Sequence, residues 1–227
     1  LAKHKHCQKI FYRIMIFQST INCLRKLGVK IKKKKNKNYL IHGNGLNSLI
    51  LKKNSSLNFG NSGTLARLLT GILSTTTNIK ANLVGDHSLN KRSMEKLINL
   101  MEKFGASFSP KNKFYFPLKL TSSEFPIGIK YNAGVSAQLK SAVMLAGLNA
   151  YGNTTINEIQ RSRDHTENML SSCPGIIKVS NKSKKTITIF GKKILKPSEI
   201  NVPNDPSSAA FFTALTLLNK KSFLKIK

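Results

Sequence analysis

Apolar residues recur along the chain at helical and at strand spacing. Met94, Leu97, Ile98, Met101 and Phe104 fall on one face of a 3.6-residue period, as do Leu65, Leu68, Leu69 and Ile72, which predicts amphipathic helices there. Short β-prone runs lie at Tyr39–His42, Ile79–Val84, Thr154–Asn157 and Thr186–Phe190. Gly43-Asn44-Gly45 and Asn181-Lys182-Ser183 mark turns.

These signals repeat. Three times an amphipathic helix is closed by glycine and followed by a β-prone stretch: Ile21 to Leu27 with Gly28-Val29-Lys30-Ile31, Leu97 to Phe104 with Gly105-Ala106-Ser107-Phe108, and Glu167 to Cys173 with Pro174-Gly175-Ile176-Ile177. Glycine just past a helix supplies the left-handed residue that ends it. The glycines are 77 and 70 residues apart. A second series interleaves with the first: helices open at Asn61-Ser62-Gly63-Thr64, at Ser136-Ala137-Gln138 and at Asp205-Pro206-Ser207-Ser208, with serines 74 and 71 residues apart. Two series of near-equal period predict a structural repeat of two helices and several short strands. The expected fold class is α+β (mixed α/β), with helices packed inside a shell of sheets. No linker is evident before about Pro197. The expected domains are therefore one globe over residues 1–198, of three repeated units and incomplete at its N-terminus, and the truncated start of a second globe over 199–227.

Composition narrows the function classes. The chain has 227 residues, 38 Lys+Arg against 9 Asp+Glu, a net charge of +29 and 40% apolar residues. Frequent, periodic apolar residues argue against disorder. No apolar run reaches the ~18 residues of a membrane span, and Ala209–Leu218 is already broken by threonines. Ile10–Phe17 is apolar but carries Arg13 and lacks a small-residue cleavage site, so it does not read as a signal peptide. Cys7, Cys23 and Cys173 are an odd number at wide spacing, which fits a reducing cytosol rather than a disulfide framework. A cytoplasmic protein with no membrane partner is expected. The first residue is not Met and the last five, Phe223-Leu224-Lys225-Ile226-Lys227, look like the middle of a strand, so a fragment is expected. The lysines are spread out. The one dense run, Lys32–Lys35, has no interleaved aromatics, which favours a solvated surface over a nucleic-acid partner. Such a positive field draws in small anions.

Candidate chemistry sits at the helix starts. Helix N-termini expose unpaired N–H groups and about half a positive charge. In Asn61-Ser62-Gly63-Thr64, Gly63 removes a Cβ where an anion would approach the backbone, and two hydroxyls flank it. The same residues suit an ordinary N-cap. In Ser136-Ala137-Gln138, Gln138 offers a donor and an acceptor, or completes a capping box. Only six basic residues are arginine: Arg13, Arg25, Arg67, Arg92, Arg161 and Arg163. In a lysine-rich chain a retained arginine hints at forked recognition of carboxylate or phosphate. Arg92 lies where a strand hands over to a helix and Arg163 at another helix start, although each could instead be a surface arginine paired with an acid. His165, between Asp164 and Glu167, reads as a capped helix start. His4-Lys5-His6-Cys7 resembles a metal tract but lacks a second ligand pair, so no metal site is expected.

Five motifs occur in order: Asn61-Ser62-Gly63-Thr64-Leu65-Ala66-Arg67-Leu68; Gly85-Asp86-His87-Ser88-Leu89-Asn90-Lys91-Arg92; Ser136-Ala137-Gln138-Leu139-Lys140-Ser141-Ala142; Ser162-Arg163-Asp164-His165-Thr166-Glu167-Asn168-Met169-Leu170; and Val202-Pro203-Asn204-Asp205-Pro206-Ser207-Ser208-Ala209-Ala210-Phe211-Phe212. Together they resemble the 5-enolpyruvylshikimate-3-phosphate synthase (3-phosphoshikimate 1-carboxyvinyltransferase) family. The resemblance covers about residues 20–215. It implies two globes, each of three βαβαββ units around buried helices in an inside-out barrel, of which this chain would be most of one. It implies transfer of the enolpyruvyl group of phosphoenolpyruvate to the 5-hydroxyl of shikimate 3-phosphate, with loss of phosphate. By motif, Gly63, Thr64, Arg92 and Gln138 would hold phosphoenolpyruvate, and Ser136, Ala137, Gln138 and Arg163 would hold shikimate 3-phosphate. No metal or organic cofactor is implied, and the full-length enzyme is expected to be a monomer. Gly63 is the small residue expected of enzymes sensitive to glyphosate.

Some features depart from the family. Its Lys-Ser…Arg motif would lie just upstream. Its acidic proton-transfer residues belong to the other globe, so no catalytic residue is expected here and the chain alone is expected not to turn over. Ser93 replaces a usual proline, which would loosen that helix start, and Cys173-Pro174 interrupts a helix that usually continues. UDP-N-acetylglucosamine enolpyruvyl transferase shares fold and donor, but none of the three cysteines sits in the Gly-rich loop expected there. A basic RNA-binding module and a decayed gene piece are the other readings.

Overall fold

In a computed structural model of the chain, residues 17–34, 38–53, 55–181, 185–197, 199–202, 206–219 and 223 are described. The His4–Cys7 tract, Arg13 and most of 10–17, the Lys182-Ser183 turn, Pro203–Asp205 and the last four residues lie outside them. The chain divides into two compact units, Leu1–Lys196 and Pro197–Lys227.

Within the first unit the elements follow in order: α1 (17–26), β1 (Lys30–Lys33), β2 (Tyr39–His42), β3 (Ser56–Asn58), α2 (Gly63–Thr75), β4 (Lys80–Val84), α3 (His87–Asn90), α4 (Glu95–Lys103), β5 (Ser107–Ser109), β6 (Leu118–Thr121), β7 (Lys130–Ala133), α5 (Ala137–Asn149), β8 (Asn153–Glu158), α6 (His165–Ser171), β9 (Ile177–Ser180) and β10 (Lys185–Phe190). Caps explain the main boundaries. Ser62 and Ser136 both adopt extended N-cap dihedrals (φ −86, ψ 94 and φ −83, ψ 99), and each Oγ accepts the N–H three residues on, from Leu65 and Leu139. The two helices that follow have 13 residues each. Gly28, Gly105 and Gly175 have φ of 87°, 92° and 77°, so the same left-handed stop is used three times.

The repeat is visible in the sheets. One has the order β3-β4-β6-β5 and the other β7-β8-β10-β9. In each, the first two strands run parallel across a helical crossover and the last two join antiparallel. Two complete βαβαββ units result, and the hairpin β1–β2 after α1 matches the end of such a unit. Of the dense lysine run, Lys32 and Lys33 end β1 and are exposed, as is Lys34, and Lys35 lies outside the described residues.

α2 and α5 form the centre, packed on each other, on α4 and, for α5, against β8 and β10. Their backbones come close because Gly71 lacks a side chain: a Cβ there would sit 2.6 Å from the Ala142 carbonyl oxygen. The expected α4 face is buried in full: Met94, Leu97, Ile98, Met101 and Phe104 are at most 3% exposed. The expected α2 face is only half right. Leu65 and Leu69 are buried, but Leu68 and Ile72 are partly exposed, and Ala66, Thr70, Leu73 and Ser74 are buried instead. A central helix contacts neighbours on several sides, so a single stripe does not describe it. The third helix also differs from its sequence reading. It ends at Ser171, two residues before Cys173, and Pro174 and Gly175 lie in the turn beyond. At the start of α4, Ser93 Oγ accepts from the Glu95 N–H at 3.3 Å, and the N-cap residue Met94 makes no side-chain cap.

The second unit holds α7 (Pro206–Leu217), with Phe211, Leu215 and Leu217 exposed. Among the described residues no helix is long and apolar enough to cross a membrane.

Candidate functional site

Two clusters meet at the N-termini of α2 and α5. In the first, Gly63 opens α2 and two guanidinium groups converge on it. A Cβ at Gly63 would lie 2.9 Å from Arg67 Nη1 and 3.3 Å from Arg92 Nη1. Arg67 stands one turn along α2 and donates to the Gly63 carbonyl at 3.0 Å. Arg92, between α3 and α4, donates to Asn61 Oδ1 at 3.0 Å and to Ser88 Oγ at 3.3 Å. Asp86 does not neutralise it directly: that carboxylate accepts from Asn61 Nδ2 and from the Leu89 N–H. Burial, and then the neighbouring Arg92 charge, lower the Arg67 guanidinium from its ordinary value. Two close cations at a helix N-terminus, with neutral partners facing them, make a setting that suits an anion.

In the second cluster, a cleft of about 530 Å³ is lined by Val135, Ser136, Ala137, Gln138, Arg161, Ser162 and Arg163. One wall is the tip of α5. The other is the segment between β8 and α6, where Arg161 and Arg163 are exposed. Gln138 belongs to both clusters. Its Nε2 donates to Thr64 Oγ1 at 2.8 Å and its Oε1 accepts from Arg67 Nη1 at 3.0 Å. It therefore reaches across to α2 rather than back to its own N-cap, and the capping-box reading does not hold.

The structure brings Gly63, Thr64, Arg92 and Gln138 together, and Ser136, Ala137, Gln138 and Arg163 together, with Gln138 shared. Sequence reasoning missed Arg67 as a site residue. The available signal was its place four residues after Gly63, which puts it on the same helix face. Reasoning also missed a charged group beneath the cleft. Lys140 is fully buried and its Nζ lies 2.7 Å from Glu158 Oε1 and 2.6 Å from Glu167 Oε1. Lys185 approaches the same carboxylates at 3.0 and 3.4 Å. Burial pushes the Glu158 carboxyl up, but hydrogen bonds from Lys140, Lys185 and Ser162 outweigh it and hold it at about 2. Lys185 is raised above its ordinary value: burial opposes this, and the two glutamates prevail. Asp164 makes no side-chain cap to α6, so His165 opens that helix without the expected cap. Among the described residues no group of three His, Cys, Asp or Glu side chains could hold a metal ion.

Comparison with known proteins gives one consistent answer. The family model for EPSP synthase (3-phosphoshikimate 1-carboxyvinyltransferase) matches residues 17–227. A 3-phosphoshikimate 1-carboxyvinyltransferase of Bacillus pumilus is 43% identical over 196 residues, 86% of this chain and 44% of the relative. That of Vesicomyosocius okutanii is 44% identical over 195 residues, 86% of this chain and 43% of the relative. The 2.37 Å structure of EPSP synthase from Acinetobacter baumannii superposes with a TM-score of 0.76 at 38% identity, covering 88% of this chain and 44% of the other. The chain thus spans less than half the length of these relatives.

Proposed function

This chain belongs to the EPSP synthase family, and on that premise we propose that it supplies one anion-binding wall of an enzyme that moves the enolpyruvyl group of phosphoenolpyruvate onto the 5-hydroxyl of shikimate 3-phosphate. The observation that carries the reading is the position of Gln138, hydrogen-bonded to Thr64 and Arg67 while lining the cleft beside Arg163. In this account phosphoenolpyruvate sits against Gly63 and Thr64 with Arg92, and with Arg67 added to the set. Shikimate 3-phosphate occupies the cleft, its phosphate facing the Ser136–Ala137 helix tip and Arg163. Gln138 touches both, which sets the attacking hydroxyl beside the enol carbon and lowers the entropic part of the barrier. The helix tips and guanidinium groups stabilise anionic substrates and departing phosphate. Residues 199–227 begin a second globe, and the complete enzyme is a cytoplasmic monomer.

Isothermal titration of shikimate 3-phosphate into the chain tests this. Arg163→Ala should weaken binding at least tenfold, about 1.4 kcal/mol, and Arg92→Ala should leave it within about twofold. Equal loss in both variants would refute the division into two subsites. With both substrates present the chain alone should release no phosphate, because it spans less than half the length of the relatives. Turnover by the purified chain would overturn that part.

A further inference from the structure

The buried charges beneath the cleft have no place in substrate contact, yet they join its two walls. We infer that Lys140 and Glu158 are positioning residues that fix the Arg161–Arg163 segment over the tip of α5. The inference rests on the substrate reading above only for what the cleft binds.

Stability alone does not account for the group. Removing two pairs of charges from water costs about as much as their attraction returns, and well-packed apolar residues often do as well. Lys140 is also placed in the first turns of α5, where a cation opposes the helix dipole. Its neighbours Leu139, Ala142, Val143 and Met144 are buried and apolar, so the charge is out of keeping with its own stretch of helix.

Connectivity explains the arrangement better. Glu158 ends β8, and its Oε1 accepts from Lys140 Nζ at 2.7 Å and from both the N–H and the Oγ of Ser162 at 2.9 Å. One carboxylate oxygen therefore closes the turn from β8 to Ser162. Ser162 lies between Arg161 and Arg163, and all three line the cleft. Lys140 belongs to the helix whose first residues form the opposite wall. The chain Lys140–Glu158–Ser162 spans from wall to wall in two hydrogen-bonded steps. A second tie holds α6 behind it: Lys140 Nζ meets Glu167 Oε1, and Ser141 Oγ lies 2.8 Å from Thr166 Oγ1. Lys185, partly exposed, lies 3.0 Å from Glu158 Oε2, whereas Ser162 is held by Oε1. Multidentate hydrogen bonding to a charged acceptor is strong and directional, which suits it to fixing a short loop.

Three variants of the chain test this: Lys140→Met, Glu158→Gln and Lys185→Met. Two quantities are read on each, the exchange rate of the Ser162 amide by NMR and the affinity for shikimate 3-phosphate by titration. Lys140→Met and Glu158→Gln should speed Ser162 exchange at least tenfold and weaken binding at least tenfold. Lys185→Met should lower the melting temperature while leaving Ser162 exchange and affinity within about twofold. A merely structural cluster would lower the melting temperature of each variant and leave Ser162 exchange and affinity within about twofold. If Ser162 exchange is unchanged in Lys140→Met and Glu158→Gln, the positioning role is wrong. If the unsubstituted chain does not bind shikimate 3-phosphate, the substrate reading fails, and exchange still decides the positioning role. Glu158→Gln keeps the side-chain volume and an acceptor oxygen, so its fold should survive where Lys140→Met is too disruptive to measure.

Discussion

Single atoms decide most at Gly63. An added methyl would lie 2.9 Å from Arg67 Nη1, the far end of a flexible side chain that can swing away. Gly63→Ala should therefore leave the melting temperature nearly unchanged and cost roughly tenfold, about 1.4 kcal/mol, in phosphoenolpyruvate affinity. Shikimate 3-phosphate binding should stay intact, and calorimetry of both ligands checks the split. An inhibitor seated on the same backbone, such as glyphosate, should lose at least as much. Glu158 gives a pH prediction. Its folded carboxyl titrates at about 2, below its ordinary 4.5, so its stabilising contribution is complete above about 4.5 and is lost as pH falls toward 2. The stability gap between the unsubstituted chain and Glu158→Gln should be on the order of a few kcal/mol near neutrality. It should shrink below pH 4.5 and not between pH 5 and 8; urea melts across that range measure it. These residues also show what a sequence hides. Nine acids in so basic a chain are nearly as scarce as its six arginines, and scarcity marks Glu158 and Glu167 in the same way. Lys140 is one of many lysines, and composition alone does not set it apart. The signal that separates it is a lone charge amid Leu139, Ala142, Val143 and Met144.

Elements were legible where short-range chemistry sets them. The N-cap serines at 62 and 136 and the left-handed glycines at 28, 105 and 175 are local rules, and the repeat follows from their spacing. The strands β3, β5, β6 and β7 are three or four residues long, too short for a period of two to stand out, and they exist because a neighbour pairs with them. Burial of α2 on several sides was invisible for a similar reason: its partner α5 is 74 residues away. The closest approach of the two helices offers a test. A methyl at Gly71 would meet the Ala142 carbonyl oxygen at 2.6 Å, and backbone cannot move aside as Arg67 can. Gly71→Ala should destabilise by about 1–3 kcal/mol despite alanine's better helix propensity. Because both helix tips bear on Gln138, it should also weaken ligand binding. A variant as stable as the unsubstituted chain would show that the helices are not held in contact there.

At the scale of the molecule, a topological repeat brings two helix tips together, and on the proposed reading it serves as a binding device. Repeating a βαβαββ unit places two capped helix tips side by side; the segment after β4 brings Arg92 to one, and the segment after β8 brings Arg161 and Arg163 to the other. The +29 charge adds a long-range pull on anions that salt screens, whereas the clustered guanidinium groups act at contact distance and are screened less. The central claim is that the two tips form one composite site joined at Gln138. The most direct measurement is a crystal structure of the chain soaked with shikimate 3-phosphate. The account predicts the ligand between the α5 tip and the Arg161–Arg163 segment, its phosphate within about 3 Å of Ser136 or Arg163 donors, and its hydroxyl edge toward Gln138. Ligand bound elsewhere, or a cleft left empty at saturating concentration, would contradict it.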